Sequence, residues 1–303
     1  MRIDAHQHFW RYNAEEYGWI DDSMTVLRRD FLPPDSAPGM NAVAVDACVA
    51  VQTRQTLEET RWLLALADVY PWIAGVVGWV DLQAGGDEVR AQLASFGHGA
   101  GLLSDTKLVG IRHFAQAEPD DRFLVRPQVL EGLSVLAESG LAFDLLIYRR
   151  HLPVAAECVA RCPQHRFVLD HLAKPNVRGR EIDAWARDLH ALARHPNVFA
   201  KLSGLVTEAD WRGWTSEHIR PYLDVAFEAF GWQRLMIGSD WPVCLVAGDY
   251  SRAMHVVFDY IAPRPAHEQD AILGGNAARF WRLKSDEVDD GRGTRAGALR
   301  GGV

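Results

Sequence analysis

Apolar residues along this 303-residue chain follow two alternating rhythms. Short apolar, β-branched runs occur at Arg2 to His8, Ala42 to Val51, Trp72 to Leu82, Leu108 to Phe114, Leu141 to Ile147, Arg166 to His171, Asn197 to Leu205 and Arg234 to Asp240. Each has the length and composition of a buried strand. Between them apolar residues return every third or fourth position, the period of a helix with one buried face. Val89, Leu93 and Phe96 mark one such helix; Leu130, Leu133, Leu136 and Ala137 mark another, ended by Gly140; Ile219, Tyr222, Ala226 and Phe230 mark a third, ended by Gly231. Thr56-Leu57-Glu58-Glu59 has the form of a capping box, with Glu59 reaching back to Thr56.

Strands alternating with helices, at starts roughly thirty residues apart, predict βα units and a parallel sheet. Eight such units close into an α/β architecture, the (β/α)8 TIM barrel. An open doubly wound sheet would carry a Gly-rich phosphate loop after its first strand. Here that strand runs straight into His6-Gln7-His8-Phe9-Trp10. The pattern predicts one catalytic domain over residues 1–283, then a polar, Gly-rich tail over 284–303 with no periodicity. The aromatic and proline-rich stretch from Phe9 to Asn41 reads as a long loop without regular structure that walls the site.

Composition narrows the partners. A hydrophobic share of 48% and a charged share of 24% fit an ordinary soluble domain. The net charge of -8, with no Lys/Arg run, argues against nucleic acid or an anionic membrane as the main partner. No apolar run approaches membrane-spanning length and no signal peptide is expected. Cys48, Cys158, Cys162 and Cys244 are too few and scattered for a disulfide scaffold, so a reducing cytoplasm is the expected location. The expected partner is a small molecule; a monomer and a homo-oligomer both stay open.

In such a barrel the site lies at the C-terminal ends of the strands. His6 and His8, two apart on a strand, share one face. Later strand ends offer Arg112 and His113; Asp144; Asp170, His171 and Lys174; Lys201 and Ser203; and Ser239, Asp240 and Trp241. Unpaired buried charges cost several kcal/mol, so this concentration points to function. Asp4 reads as structural. Arg112 and His113 face opposite ways, and Arg112 is assigned inward. Asp170 is expected to alternate away from His171, and Lys174 to lie in a solvated loop. His98, His151, His165, His190, His195, His218, His255 and His267 are assigned no role.

The strings Ile3-Asp4-Ala5-His6-Gln7-His8-Phe9-Trp10, Val109-Gly110-Ile111-Arg112-His113, Leu169-Asp170-His171-Leu172-Ala173-Lys174-Pro175, Lys201-Leu202-Ser203-Gly204, Gly238-Ser239-Asp240-Trp241-Pro242 and Gly274-Gly275-Asn276-Ala277-Ala278-Arg279-Phe280 span the chain in order. Together they resemble the amidohydrolase superfamily, in its branch of sugar-acid and pyrone-dicarboxylate lactonases. The resemblance implies that His6, His8, His171 and Asp240 match the family's metal-ligating positions. Many relatives also carry a carboxylated lysine or a glutamate on strand four and a histidine on strand five. This sequence has Arg112 and Asp144 near those points, which leaves two alternatives: one divalent ion, zinc by its donors, or none.

The resemblance implies hydrolysis of a sugar-acid lactone, and the closeness of the strings implies a deoxy-sugar one such as L-fucono-1,5-lactone. Asp240 is the expected general base, His171 and Arg112 act with it on the carbonyl, and His6, His8, Trp10, Asp144, Lys201 and Trp241 contact substrate. A single-metal nonoxidative decarboxylase of the same branch and a non-catalytic sugar- or protein-binding barrel are the alternatives.

Overall fold

The structure is a computed structural model that describes residues 1–97 and 106–283. His98 and the expected tail lie outside the described residues. Eight parallel strands follow one another around the sheet in chain order: β1 (Ile3–Gln7), β2 (Ala47–Val51), β3 (Ile73–Gly78), β4 (Leu108–His113), β5 (Ala142–Leu145), β6 (Phe167–Leu169), β7 (Val198–Leu202) and β8 (Leu235–Ile237). Beyond β8 the chain turns back onto β1, where Asp240 N donates to His6 O at 3.0 Å and His8 N to Trp241 O at 2.7 Å. This is the (β/α)8 TIM barrel that the periodicity predicts. Helices α1 (Pro33–Ala42), α2 (Leu57–Val69), α3 (Gly86–Ala94), α4 (Pro127–Glu138), α5 (Leu152–Arg161), α6 (Asp183–Ala193), α7 (Ser216–Phe230) and α8 (Tyr250–Ile261) alternate with the strands, followed by α9 (Ala266–Asp270) and α10 (Asn276–Trp281).

The barrel interior is stacked in layers. Strand residues Ile3, Ala5, Val49, Val51, Val77, Ala142, Val168 and Met236 cluster with Ala277, Phe280 and Trp281 of α10, so the last helix plugs one end with aromatic rings. A larger apolar layer lies between strands and outer helices. None of the helices among the described residues is long and apolar enough to cross a membrane.

Two local expectations are corrected, and the first strand carries an irregularity. The stretch from Phe9 to Asn41 contains α1, begun by Pro33 and Pro34 in its first turn, where a missing N–H costs nothing. The capping box is half formed: Thr56 caps Glu59 N at 3.2 Å, but the Glu59 carboxylate turns to Thr53 N, Thr53 Oγ1 and Arg54 N and pins the loop after β2. The β1 ladder shifts register between Asp4 and Gln7. That shift lets His6 follow Ala5 onto the interior, the kind of re-aiming that bulges beside active sites perform.

Asp4 locks the closure as a structural residue. Its Oδ1 accepts from Ser239 N at 2.8 Å and His6 N at 3.1 Å; its Oδ2 accepts from Gln7 Nε2 at 2.8 Å and Tyr250 OH at 2.9 Å.

Candidate active site

The end of β6 departs from an ordinary strand. His171, Leu172, Ala173 and Lys174 all have φ between 50° and 60°. For residues with a Cβ such a conformation costs roughly 1–2 kcal/mol each. Trp185 Nε1 donates to Leu172 O at 2.8 Å and Lys174 N to His171 O at 2.8 Å, which fixes the turn. The left-handed turn cancels strand alternation, so Asp170 and His171 both face the interior, contrary to the expectation that Asp170 points away. Asp240 also has a positive φ of 57°. Strain of this kind gathers at functional sites.

Around the mouth of the barrel, His6, His8, His171 and Asp240 meet. Asp240 Oδ1 lies 3.3 Å from His8 Nε2 and 3.8 Å from both His6 Nε2 and His171 Nε2. The His6 ring centroid is 4.7 Å from His8 and 4.4 Å from His171. His8 Nδ1 sits 2.7 Å from Val51 O; a carbonyl only accepts, so Nδ1 carries the proton and Nε2 presents its lone pair. Ser203 Oγ holds His171 Nδ1 at 2.8 Å. Gly204, at φ 67°, permits that contact, since a Cβ there would fall 2.6 Å from His171 Nδ1.

Arg112 reaches inward, with Nη1 2.9 Å from Asp170 Oδ2 and 3.2 Å from His6 Nε2. Gln52, which sequence reasoning missed, receives its Nε at 3.1 Å and its Nη2 at 3.0 Å through Oε1. His113 faces outward, where it accepts from Trp79 Nε1 at 3.2 Å and pairs with Glu118 at 2.7 Å.

Beneath this layer lies a buried ionic cluster. Lys201 Nζ is 2.5 Å from Asp144 Oδ2, 2.9 Å from Asp170 Oδ1 and 3.1 Å from His6 Nδ1, and none of the four residues is exposed. All three ammonium protons are thus directed at protein atoms. This corrects the expectation that Lys201 and Asp144 contact substrate: Lys201 lies between the Trp281 ring, 5.1 Å away, and His6, and supports the imidazole from below.

Trp10 is fully buried, packed edge-on against Phe31 at 5.4 Å and donating through Nε1 to Arg29 O at 2.9 Å. Trp241 packs on the same Phe31 at 5.3 Å. These contacts make both indoles part of one aromatic wall, which leaves Trp10 no free face for a sugar ring.

Burial pushes the His6, His8 and His171 pKa values down, His171 to about 4, so the imidazoles are neutral at pH 7. For Asp240, burial acts upward, but the surrounding imidazoles of His171, His8 and His6 outweigh it and hold the carboxyl well below its ordinary value. In the ionic cluster burial lifts Asp144 to about 7 against the pull of Lys201. Asp170 is driven far down, because Lys201, His6 and Arg112 together overcome its burial.

The donor types and spacing fit one divalent ion. His6, His8 and Asp240 place their ligand atoms within 4.8 Å of one another, and the inward lone pair of His8 suits ligation. Arg112 Nη1, already against His6 Nε2, puts a fixed positive charge at the same spot.

The amidohydrolase family model matches residues 3–283. The L-fucono-1,5-lactonase of Burkholderia multivorans is 42% identical over 294 residues, covering 93% of this chain and 96% of that protein. The L-fucono-1,5-lactonase of Burkholderia ambifaria is 38% identical over 300 residues, covering 95% and 98%. A crystal structure of a Burkholderia multivorans amidohydrolase with bound zinc superposes with a TM-score of 0.87 at 43% identity, covering 94% of this chain and all of that one. With its eight-stranded barrel and a match running from β1 to the end of α10, the chain belongs to the amidohydrolase family.

Proposed function

We propose that this chain hydrolyses a sugar-acid lactone to the open-chain aldonate, with Asp240 as the group that moves the proton. The observation that carries the reading is the single carboxylate oxygen of Asp240 within 3.3 to 3.8 Å of three imidazole nitrogens at the catalytic end of the barrel. The lactonases at 42% and 38% identity support the reaction class.

A lactone is an ester, a better electrophile than an amide with a better leaving group. Modest polarisation and one positioned base therefore suffice. Asp240 takes a proton from water as the oxygen attacks the carbonyl carbon; the C–O bond to the ring oxygen then breaks, and Asp240 returns the proton to that oxygen. Arg112 and His171, whose Nδ1 accepts from Ser203 Oγ so that Nε2 carries the proton, stand at the carbonyl oxygen and stabilise the charge it gains. Its lowered pKa keeps Asp240 ionised, and so able to accept a proton, through neutral and mildly acidic pH, at a cost in basicity that a reactive ester tolerates better than an amide. Lys201, Asp144 and Asp170 hold His6 in place from beneath.

Where a divalent ion binds, His6, His8 and Asp240 would hold it, with His171 beside them, and it would supply Lewis-acid polarisation of the carbonyl. Zinc is the ion that the imidazole and carboxylate donors favour.

The preferred substrate is L-fucono-1,5-lactone or a related deoxy-sugar lactone. Acid release from L-fucono-, L-rhamnono-, L-galactono- and D-arabinono-lactones, with the spontaneous rate subtracted, tests both reaction and preference. Fastest turnover of the L-fucono compound is expected; no acceleration on any of the four overturns the reading.

A further inference from the structure

The rim of the barrel carries an opposite-charge pair that the proton transfer does not use. Lys174 ends the left-handed turn after β6, and Glu208 ends the turn after β7, where its carbonyl accepts from Arg178 N at 3.0 Å. Both side chains are half-buried. Among the described residues neither side chain has a hydrogen bond or a salt bridge; the Lys174 ammonium instead stands 5.5 Å above the ring of Tyr148, on the loop after β5.

Such a state is costly unless something repays it. Burial lowers the Lys174 pKa and raises that of Glu208, which marks both as poorly hydrated. Each is the other's strongest opposite charge, yet they are too far apart to close an ion pair, and both feel the charge of Asp240. The two residues sit on the turns that follow the neighbouring strands β6 and β7, at the same end of the barrel as Asp240, and the Arg178 N to Glu208 O bond ties those turns together.

A sugar hydroxyl both donates and accepts. An ammonium and a carboxylate separated by a gap match two neighbouring hydroxyls, the ammonium donating to one oxygen and the carboxylate accepting from the other O–H. The pair adds no net charge, so it suits a neutral polyol, and Glu208 repels an anionic ring substituent. Buried polar groups built to pair with a hydroxyl discriminate strongly against ligands lacking it.

We infer that Lys174 and Glu208 together read an adjacent pair of substrate hydroxyls and make the rim a filter for neutral, polyhydroxylated lactones. The inference rests on the lactonase reading above and assigns the specificity of that same site.

The test is steady-state kinetics of the full chain and its Lys174→Met and Glu208→Gln variants on the best lactone of the four-compound panel. Both variants should raise KM by about 10- to 100-fold, the range of a charge-assisted hydrogen bond, with most of the loss in kcat/KM falling on KM. Glu208→Gln should also tighten inhibition by glucaro-1,4-lactone, an anionic lactone, by about tenfold. Lys174→Arg should recover part of the KM. An unchanged KM in both variants, or a kcat that falls as far as kcat/KM, overturns the inference. Thermal unfolding of each variant checks folding, and Glu208→Gln carries the test alone if Lys174→Met is unfolded. A wild-type chain that turns over none of the four lactones defeats the lactonase reading before any variant is needed.

Discussion

Arg112 Nη1 lies 3.2 Å from His6 Nε2, the nitrogen nearest to any ion held between His6, His8 and Asp240. On the opposite side of the same ring, Lys201 Nζ is 3.1 Å from Nδ1. An ammonium can only donate and a neutral imidazole accepts at one nitrogen, so these two cations compete for His6. Both cations are matched by the carboxylates of Asp144 and Asp170, but they bring two positive groups against one imidazole, where many relatives have an anionic bridging group on the fourth strand.

That competition predicts the behaviour of Arg112→Met. Removing the guanidinium should lower kcat on the lactone by about 10- to 1,000-fold, the scale for losing one oxyanion donor. It should also raise the affinity for zinc by at least about tenfold, because a nearby like charge is gone. Elemental analysis after equilibration with limiting zinc measures the second effect. Equal zinc occupancy in both proteins would show that the guanidinium does not oppose the ion.

Gly204 is bound to the site through His171. An added Cβ would fall 2.6 Å from His171 Nδ1, and the φ of 67° disfavours any side chain. Gly204→Ala should therefore cost about 1–2 kcal/mol of stability. It should also lower kcat by about 10- to 100-fold, since a displacement of about 1 Å at a catalytic group has that effect. Denaturant unfolding and single-substrate kinetics read the two losses separately. Full activity in a stably folded variant would mean that His171 tolerates displacement.

Acid sensitivity should come in part from His165, which packs on Phe167 with neither ring nitrogen hydrogen bonded among the described residues. Burial, aided by Arg166, lowers its pKa from 6.5 to about 3. Between those values the unfolded chain binds a proton that the folded chain refuses, so stability falls as pH drops below 6.5 and is level above it. His171, lowered to about 4, contributes with the same sign. Thermal midpoints between about pH 4.5 and 7.5 should decline less steeply in His165→Leu than in the wild type. Parallel curves would assign the acid loss to other groups.

The barrel was legible because strand and helix periods are global properties of the chain, and the long-range meeting of His6, His8 and Asp240 follows from the parallel order of the strands. What strand alternation misassigned was Asp170: nothing in Asp170-His171-Leu172-Ala173-Lys174 announces a left-handed turn, since none of these residues is glycine. Lys201 was expected at the substrate because it ends a strand, but its depth depends on Trp281 closing the barrel beneath it. Gln52 and Glu208 gave no pattern signal. A polar residue just beyond a strand was the only hint for either, and such residues are common in loops. The aromatic stretch after β1 concealed α1 because Pro33 and Pro34 read as loop punctuation, although prolines are welcome in the first turn of a helix.

The central claim is that Asp240 carries the proton in lactone hydrolysis, and Asp240→Asn tests it most directly. The amide keeps the size of the side chain and removes the base. Initial rates of acid release from L-fucono-1,5-lactone, measured side by side, should fall by about 100- to 10,000-fold in the variant while thermal stability stays close to wild type. A folded Asp240→Asn protein that hydrolyses the lactone at the wild-type rate would contradict the account.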